Sequence, residues 1–155
     1  MSIKINNYKS GYQVVSLALD ESTKEDLQKE HVQLLFINNG RVVMYPENIE
    51  LDMEEKSSRY LENQNNYDVY EIWSDGRMFL RYDNASIDNH FFVTGKCNSN
   101  CIMCPSADSS RKYGDVTNVE HLIEVAKHIP SDAKHLTVTG GEPFLSGEEI
   151  FKFIL

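Results

Sequence analysis

His90-Phe91-Phe92-Val93-Thr94-Gly95-Lys96-Cys97-Asn98-Ser99-Asn100-Cys101-Ile102-Met103-Cys104 joins an apolar run to all three cysteines of the chain. Five residues rich in bulky and β-branched side chains, ended by glycine, predict a buried strand that delivers the thiols in the loop after its carboxyl end. Three thiolates are one short of a closed site, because structural zinc and ordinary iron–sulfur clusters each take four protein ligands. The trio either borrows a fourth ligand or leaves one coordination position open for chemistry.

Downstream, Thr117-Asn118-Val119-Glu120 has the form of a capping box, and Val119, Leu122, Ile123, Ala126 and Ile129 recur at helical spacing until Pro130. His135-Leu136-Thr137-Val138-Thr139 reads as a second strand, broken by Gly140-Gly141, and Ser146-Gly147-Glu148-Glu149 caps a further helix. Strand, helix, strand, helix is a βαβα pattern with parallel pairing. Active sites of such sheets lie at the carboxyl ends of the strands. The cysteine loop and Gly140-Gly141-Glu142-Pro143 should therefore share one edge.

Upstream, residues 1–85 read as a β-rich region with hairpins. His31–Asn38 and Arg41–Tyr45 flank Asn39-Gly40, and Tyr67–Trp73 and Arg77–Tyr82 flank Ser74-Asp75-Gly76; both turns carry the Asn-Gly or Asp-Gly signal of a type I′ hairpin. Ser22-Thr23-Lys24-Glu25 reads as a capping box of a brief helix reaching Gln28 or Lys29. Residues 48–66 are rich in charge and amide and fit either a short helix or a loop. The boundary with the second region, residues 86–155, falls near Asn84 to Asn89.

Of 155 residues, 41% are hydrophobic, which suffices for a globular core. A formal net charge of −9 argues against a nucleic-acid partner, since phosphate binding needs clustered Lys and Arg. No window approaches the roughly 20 apolar residues of a membrane-spanning helix. With no signal peptide in the opening residues, a cytoplasmic location is expected. There, three clustered cysteines favour metal or redox chemistry over disulfides.

Together, Cys97-x-x-x-Cys101-x-x-Cys104 and Gly140-Gly141-Glu142-Pro143 resemble the radical S-adenosylmethionine (radical SAM) superfamily. The resemblance implies an α/β fold, the start of a partial (β/α)6 barrel with two βα units. It implies that Cys97, Cys101 and Cys104 ligate three irons of a [4Fe–4S] cluster whose fourth iron binds SAM. The reduced cluster then cleaves SAM to methionine and a 5′-deoxyadenosyl radical, which takes a hydrogen atom from the substrate. Gly140, Gly141, Glu142 and Pro143 would line the SAM site, the tandem glycines letting the backbone approach its methionine end closely and Glu142 accepting from its ammonium group. Met103, where the family often has an aromatic residue, would offer its backbone to adenine.

The wording of the cysteine loop, and a hairpin with Asp75-Gly76-Arg77 before it, are similar to maturases of His-Xaa-Ser peptide-modification systems. That likeness implies a peptide or small-protein substrate, added as a strand to a sheet edge of the N-terminal region, and an electron donor. A full eight-unit barrel takes about 250 residues, so the expectation is a fragment, a truncated product or one half of a split enzyme completed by a second chain. Two other readings compete: a zinc-binding structural module, and an inactive remnant that holds a cluster without turnover. His90, His121, His128 and His135 have no motif partner and read as packing or surface residues. Phe91 and Phe92 read as core, the acidic residues between Glu47 and Glu55 as a solvated face, and Arg111 and Lys112 as exposed.

Overall fold

The computed structural model describes residues 3–104, 106, 108–114 and 118–146. The chain forms two compact units, one of residues 1–86 with 127–133 and the other of residues 87–126 with 134–155. The helix expected at Ser146–Glu149 lies largely outside the described residues.

The first unit is built on a seven-stranded mixed sheet. Its strands are β1 (Ile3–Lys4), β2 (Gln13–Ala18), β3 (Leu34–Asn38), β4 (Arg41–Tyr45), β5 (Ile49–Glu50), β6 (Val69–Ile72) and β7 (Arg77–Tyr82), in the order β1-β7-β6-β2-β3-β4-β5. Helices α1 (Glu21–Lys29) and α2 (Glu55–Glu62) complete it. The β3–β4 hairpin turns through Asn39 at φ 50° and Gly40 at φ 78°, two positive angles as type I′ requires. At the β6–β7 turn only Gly76, φ 81°, is positive. The Trp73 amide donates to the Arg77 carbonyl (2.9 Å), so the loop is three residues long and the expected type I′ turn is absent.

Helix α1 begins two residues earlier than its Ser-x-x-Glu signal suggests. Asp20 is the N-cap, its carboxylate accepting from the Thr23 amide at 2.8 Å, an interaction worth about 1 kcal/mol. This helix carries the chain from β2 to β3, which pair in parallel. The unit is rich in β-structure and has hairpins, and through α1 it also contains a βαβ crossover. Residues 48–66 resolve into β5 and α2.

Alternation along the strands gives the sheet two buried faces. Val15, Leu17, Leu35, Ile37, Tyr70 and Ile72 join Leu61 of α2 on one, while Ala18, Leu34 and Phe36 join Leu27 of α1 on the other. Burial lifts the Asp68 carboxyl above the usual carboxylate range, against the pull of amide bonds from Asn65 and Asn84. His128 is buried and its Nδ1 lies 2.9 Å from Ser16 Oγ, a packing role in keeping with the sequence reading. Among the described residues, no helix is long and apolar enough to cross a membrane.

The second unit holds β8 (His90–Thr94), α3 (Asp108–Tyr113), α4 (Val119–Lys127) and β9 (Thr137–Gly140). Strands β8 and β9 pair in parallel, His90 opposite Thr137 and Thr94 opposite Gly140. Asn118 caps α4 through its side chain, which accepts from the Glu120 amide at 3.0 Å. Val119, Leu122 and Val125 are buried, whereas Ile123 and Ala126 are only partly so. Phe91 and Val93 are buried but Phe92 is 53% exposed, so the expectation that both phenylalanines are core is corrected. A strand's period of two sends neighbours to opposite faces, and only one face of β8 is covered among the described residues.

Candidate functional site

The carboxyl ends of β8 and β9 carry the two motifs, and backbone hydrogen bonds tie them together. The Gly141 amide donates to the Thr94 carbonyl and the Glu142 amide to the Lys96 carbonyl, each at 2.7 Å. The Gly-Gly-Glu-Pro turn thus lies directly on the residues that lead into Cys97. Gly140 has φ +149°, and a Cβ there would run into the Thr94 backbone; one on Gly141 would run into the Lys96 carbonyl. Both glycines are required by close approach to the stem of the cysteine loop. The sequence reading reserved that freedom for a ligand.

After the turn, Pro143–Ser146 forms a single 3-10 turn. Glu142 is half-buried, and its Oε1 accepts from the Phe144 amide at 3.2 Å. The carboxylate is thereby fixed at the strand end. Phe144 and Leu145 beyond it are exposed.

The cysteine loop is anchored at its first thiol and open at its tip. The Cys97 amide donates to the carbonyl of Arg111 in α3 (2.9 Å), and Cys97 Sγ accepts from the Ser99 amide (3.4 Å). A one-turn bond from the Cys104 amide to the Cys101 carbonyl (3.1 Å) closes the far side. Between them Ile102 and Met103 are 99% and 91% exposed. All three cysteines are free thiols, with Cys101 exposed and the others half-buried. The Ser106 amide, aided by its hydroxyl and by the Arg111 guanidinium, holds the Cys104 thiol below the ordinary thiol range. Arg111, read from sequence as simply exposed, is half-buried and serves the loop through its carbonyl; Lys112 is exposed.

Three thiols within one loop are the donors that iron–sulfur chemistry uses, so the donor set fits such a cluster. Among the described residues, no three Cys, His, Asp or Glu side chains are gathered closely enough to hold a metal ion. Ligation would have to draw the three sulfurs together. Outside the loop, His90 and His135 are exposed and engage near neighbours, Asp88 and Thr137.

Sequence reasoning found the cysteines and the glycine turn because each is a compact motif. It missed Thr94, Lys96 and Arg111, whose contributions run through backbone carbonyls and leave no residue-type signal. Gly95 and Gly114 left only a faint one, a glycine just after a strand or helix.

No family model matches the chain, and no solved structure matches it. Over 71 residues it is 41% identical to a putative glycyl-radical enzyme activating enzyme of Methanocaldococcus jannaschii. That alignment covers 41% of this chain and 18% of the relative, so the chain spans under a fifth of that protein's length. The partial likeness supports a radical SAM relationship at the level of the superfamily.

Proposed function

We propose that this chain carries the cluster-binding part of a radical SAM enzyme that acts on a peptide or small protein. The observation that carries the reading is the pair of hydrogen bonds fastening Gly141 and Glu142 to Thr94 and Lys96, beside Cys97. In this reading β8, α3, α4 and β9 open a partial barrel, and Cys97, Cys101 and Cys104 hold a [4Fe–4S] cluster. Bound together, the cluster and SAM supply reductive radical chemistry that removes a hydrogen atom from the substrate. Glu142, already fixed by the Phe144 amide, presents a carboxylate to the SAM ammonium group, while Gly140, Gly141 and Pro143 set its position. The Met103 backbone, on the exposed tip, faces adenine. We assign the protein to the cytoplasm, where thiols stay reduced, with a separate electron donor.

Anaerobic reconstitution with iron and sulfide tests this reading. A [4Fe–4S] chromophore should form, and SAM should perturb its electron paramagnetic resonance spectrum. Glu142→Ala is expected to keep the iron and to weaken SAM binding by about 10- to 100-fold, the loss of one hydrogen bond to a charged group at about 1.5–3 kcal/mol. Tightly bound zinc with no such spectrum would instead favour a structural module. A cluster without 5′-deoxyadenosine after reduction would favour an inactive remnant.

The peptide part of the reading rests on the first unit. Strand β1 covers the outer edge of β7 only at Arg77 and Met78. Beyond Met78, no strand pairs with that edge among the described residues. Next to it Trp73 and Phe79, both exposed, help line a cleft of about 360 Å³ together with Glu71 and Arg81. An extended peptide adding to β7 would find main-chain partners there and, for a side chain, a cleft of mixed character in which Trp73, Phe79 and Leu80 stand beside Glu71, Arg77 and Arg81. Peptides selected from a display library on the intact protein should lose about tenfold in affinity, roughly 1.4 kcal/mol, to Phe79→Asp. Binders indifferent to that change would remove this edge from the reading.

A further inference from the structure

Cys97 is positioned from two sides, and only one of them belongs to a motif. On the β9 side, Gly141 and Glu142 hold Thr94 and Lys96, the residues before it. On the α3 side, the Arg111 carbonyl takes the Cys97 amide itself at 2.9 Å. The first thiol therefore moves with the last turn of α3.

That turn reaches the loop because two glycines face each other. A Cβ on Gly114 would sit 2.9 Å from Gly95 Cα and 3.0 Å from its carbonyl carbon, and would collide with the Ser110 carbonyl. All three are backbone atoms, so no rotamer change relieves the overlap. The reverse substitution is milder: a Cβ on Gly95 meets Gly114 Cα and Ser110 O at 3.4 Å, ordinary contact distances. Helix capping does not account for Gly114, since its φ lies outside the left-handed region where a C-terminal cap favours glycine. Close approach accounts for it, first to the Ser110 carbonyl of its own helix and then to the Gly95 backbone, so a side chain here disturbs both the end of α3 and its contact with the loop. Its amide also donates to the Ser110 carbonyl at 2.8 Å, finishing α3 in register with the Arg111 carbonyl.

We propose that Gly114, ten residues beyond the last cysteine and outside both motifs, is a positioning residue for Cys97, holding α3 close enough for the Arg111 carbonyl to fix the Cys97 amide. The consequence for cluster loading rests on the proposed function; the positioning itself does not. A larger residue at 114 pushes α3 away from Gly95, breaks the Arg111–Cys97 bond and frees the first thiol.

Residue-resolved amide hydrogen exchange on the metal-free protein reads this bond directly. In the wild type the Cys97 amide should be protected; exchange at the unprotected rate would overturn the proposal before any substitution is made. Gly114→Ala should speed exchange at Cys97 by about tenfold or more through local opening, with the Gly141 amide, bonded to Thr94, still protected. Gly95→Ala should change Cys97 far less, and Gly11→Ala, whose Cβ would meet nothing within 4 Å, not at all. Unchanged protection of Cys97 in Gly114→Ala, or a larger effect from Gly95→Ala, would overturn the assignment. Should Gly114→Ala unfold the unit, seen as lost protection at Gly141 as well, the wild-type and Gly95→Ala results still decide. Reconstitution then forms a separate arm: Gly114→Ala should bind less iron than Gly95→Ala. If the wild type binds no iron, the cluster reading fails and the exchange result for Gly114 stands.

Discussion

Cys101→Ala is expected to abolish iron–sulfur cluster formation while leaving the fold intact. The wild type should take up about four irons per chain under anaerobic reconstitution, and the variant close to none, because two thiolates cannot retain a cluster that already has one iron without a protein ligand. The side chain is exposed, so its removal costs little packing, and surface changes of this kind stay within about 0.5 kcal/mol. The local bond between the Cys104 amide and the Cys101 carbonyl runs through the backbone and survives the substitution. Iron analysis and the visible chromophore give the loading, and circular dichroism gives the fold. Iron retained at the wild-type level would show that the Cys101 thiol is not a ligand, and the proposed role of the loop would fall with it.

The contrast between Cys101 and Cys97 explains which parts of the site can be read from a sequence. Spacing announces the three thiols and the glycine turn, and the alternation of strand and helix sets both at the carboxyl ends of β8 and β9. What fixes Cys97 is the carbonyl of Arg111, and a carbonyl is present whatever the side chain. Gly140 and Gly141 were legible as glycines that permit close approach, yet the object approached, the Thr94–Lys96 backbone, is set by the register of β8 against β9. The same limit appears in the first unit. Asn39-Gly40 specifies a hairpin because both residues of the turn are local, and the structure has that hairpin in the expected register. The parallel pairing of β2 with β3 is non-local. Val14, Val15 and Leu17 mark a strand, but nothing in them names Leu34–Phe36 as partner. Phe92 failed for a related reason: an apolar run reads as buried on both faces, while burial depends on what the rest of the fold lays against each face.

Because β2 lies between β3 and β6, Leu17→Ala should be the most damaging truncation in the first unit, lowering its stability by about 2–5 kcal/mol. Leu17 is fully buried within the cluster that includes Leu35, Tyr70 and Leu61. Its backbone is engaged on one side by Asp68 and Tyr67, each at 2.8 Å, and it sits opposite Leu35 on the other. A strand held at both edges cannot shift to fill the space left by three deleted carbons, so a cavity term adds to the lost transfer energy. Trp73, the sole tryptophan, lies at the end of β6, so its emission follows this unit during urea denaturation. The midpoint should fall with the slope unchanged. Ile49→Ala serves as the comparison: Ile49 is 44% exposed on the two-residue outer strand β5, and its loss should cost about 0.5 kcal/mol or less. Equal midpoints for the two variants would mean that the β2 face is not the core of this sheet, and that α2 packs against something other than the cluster centred on Leu17.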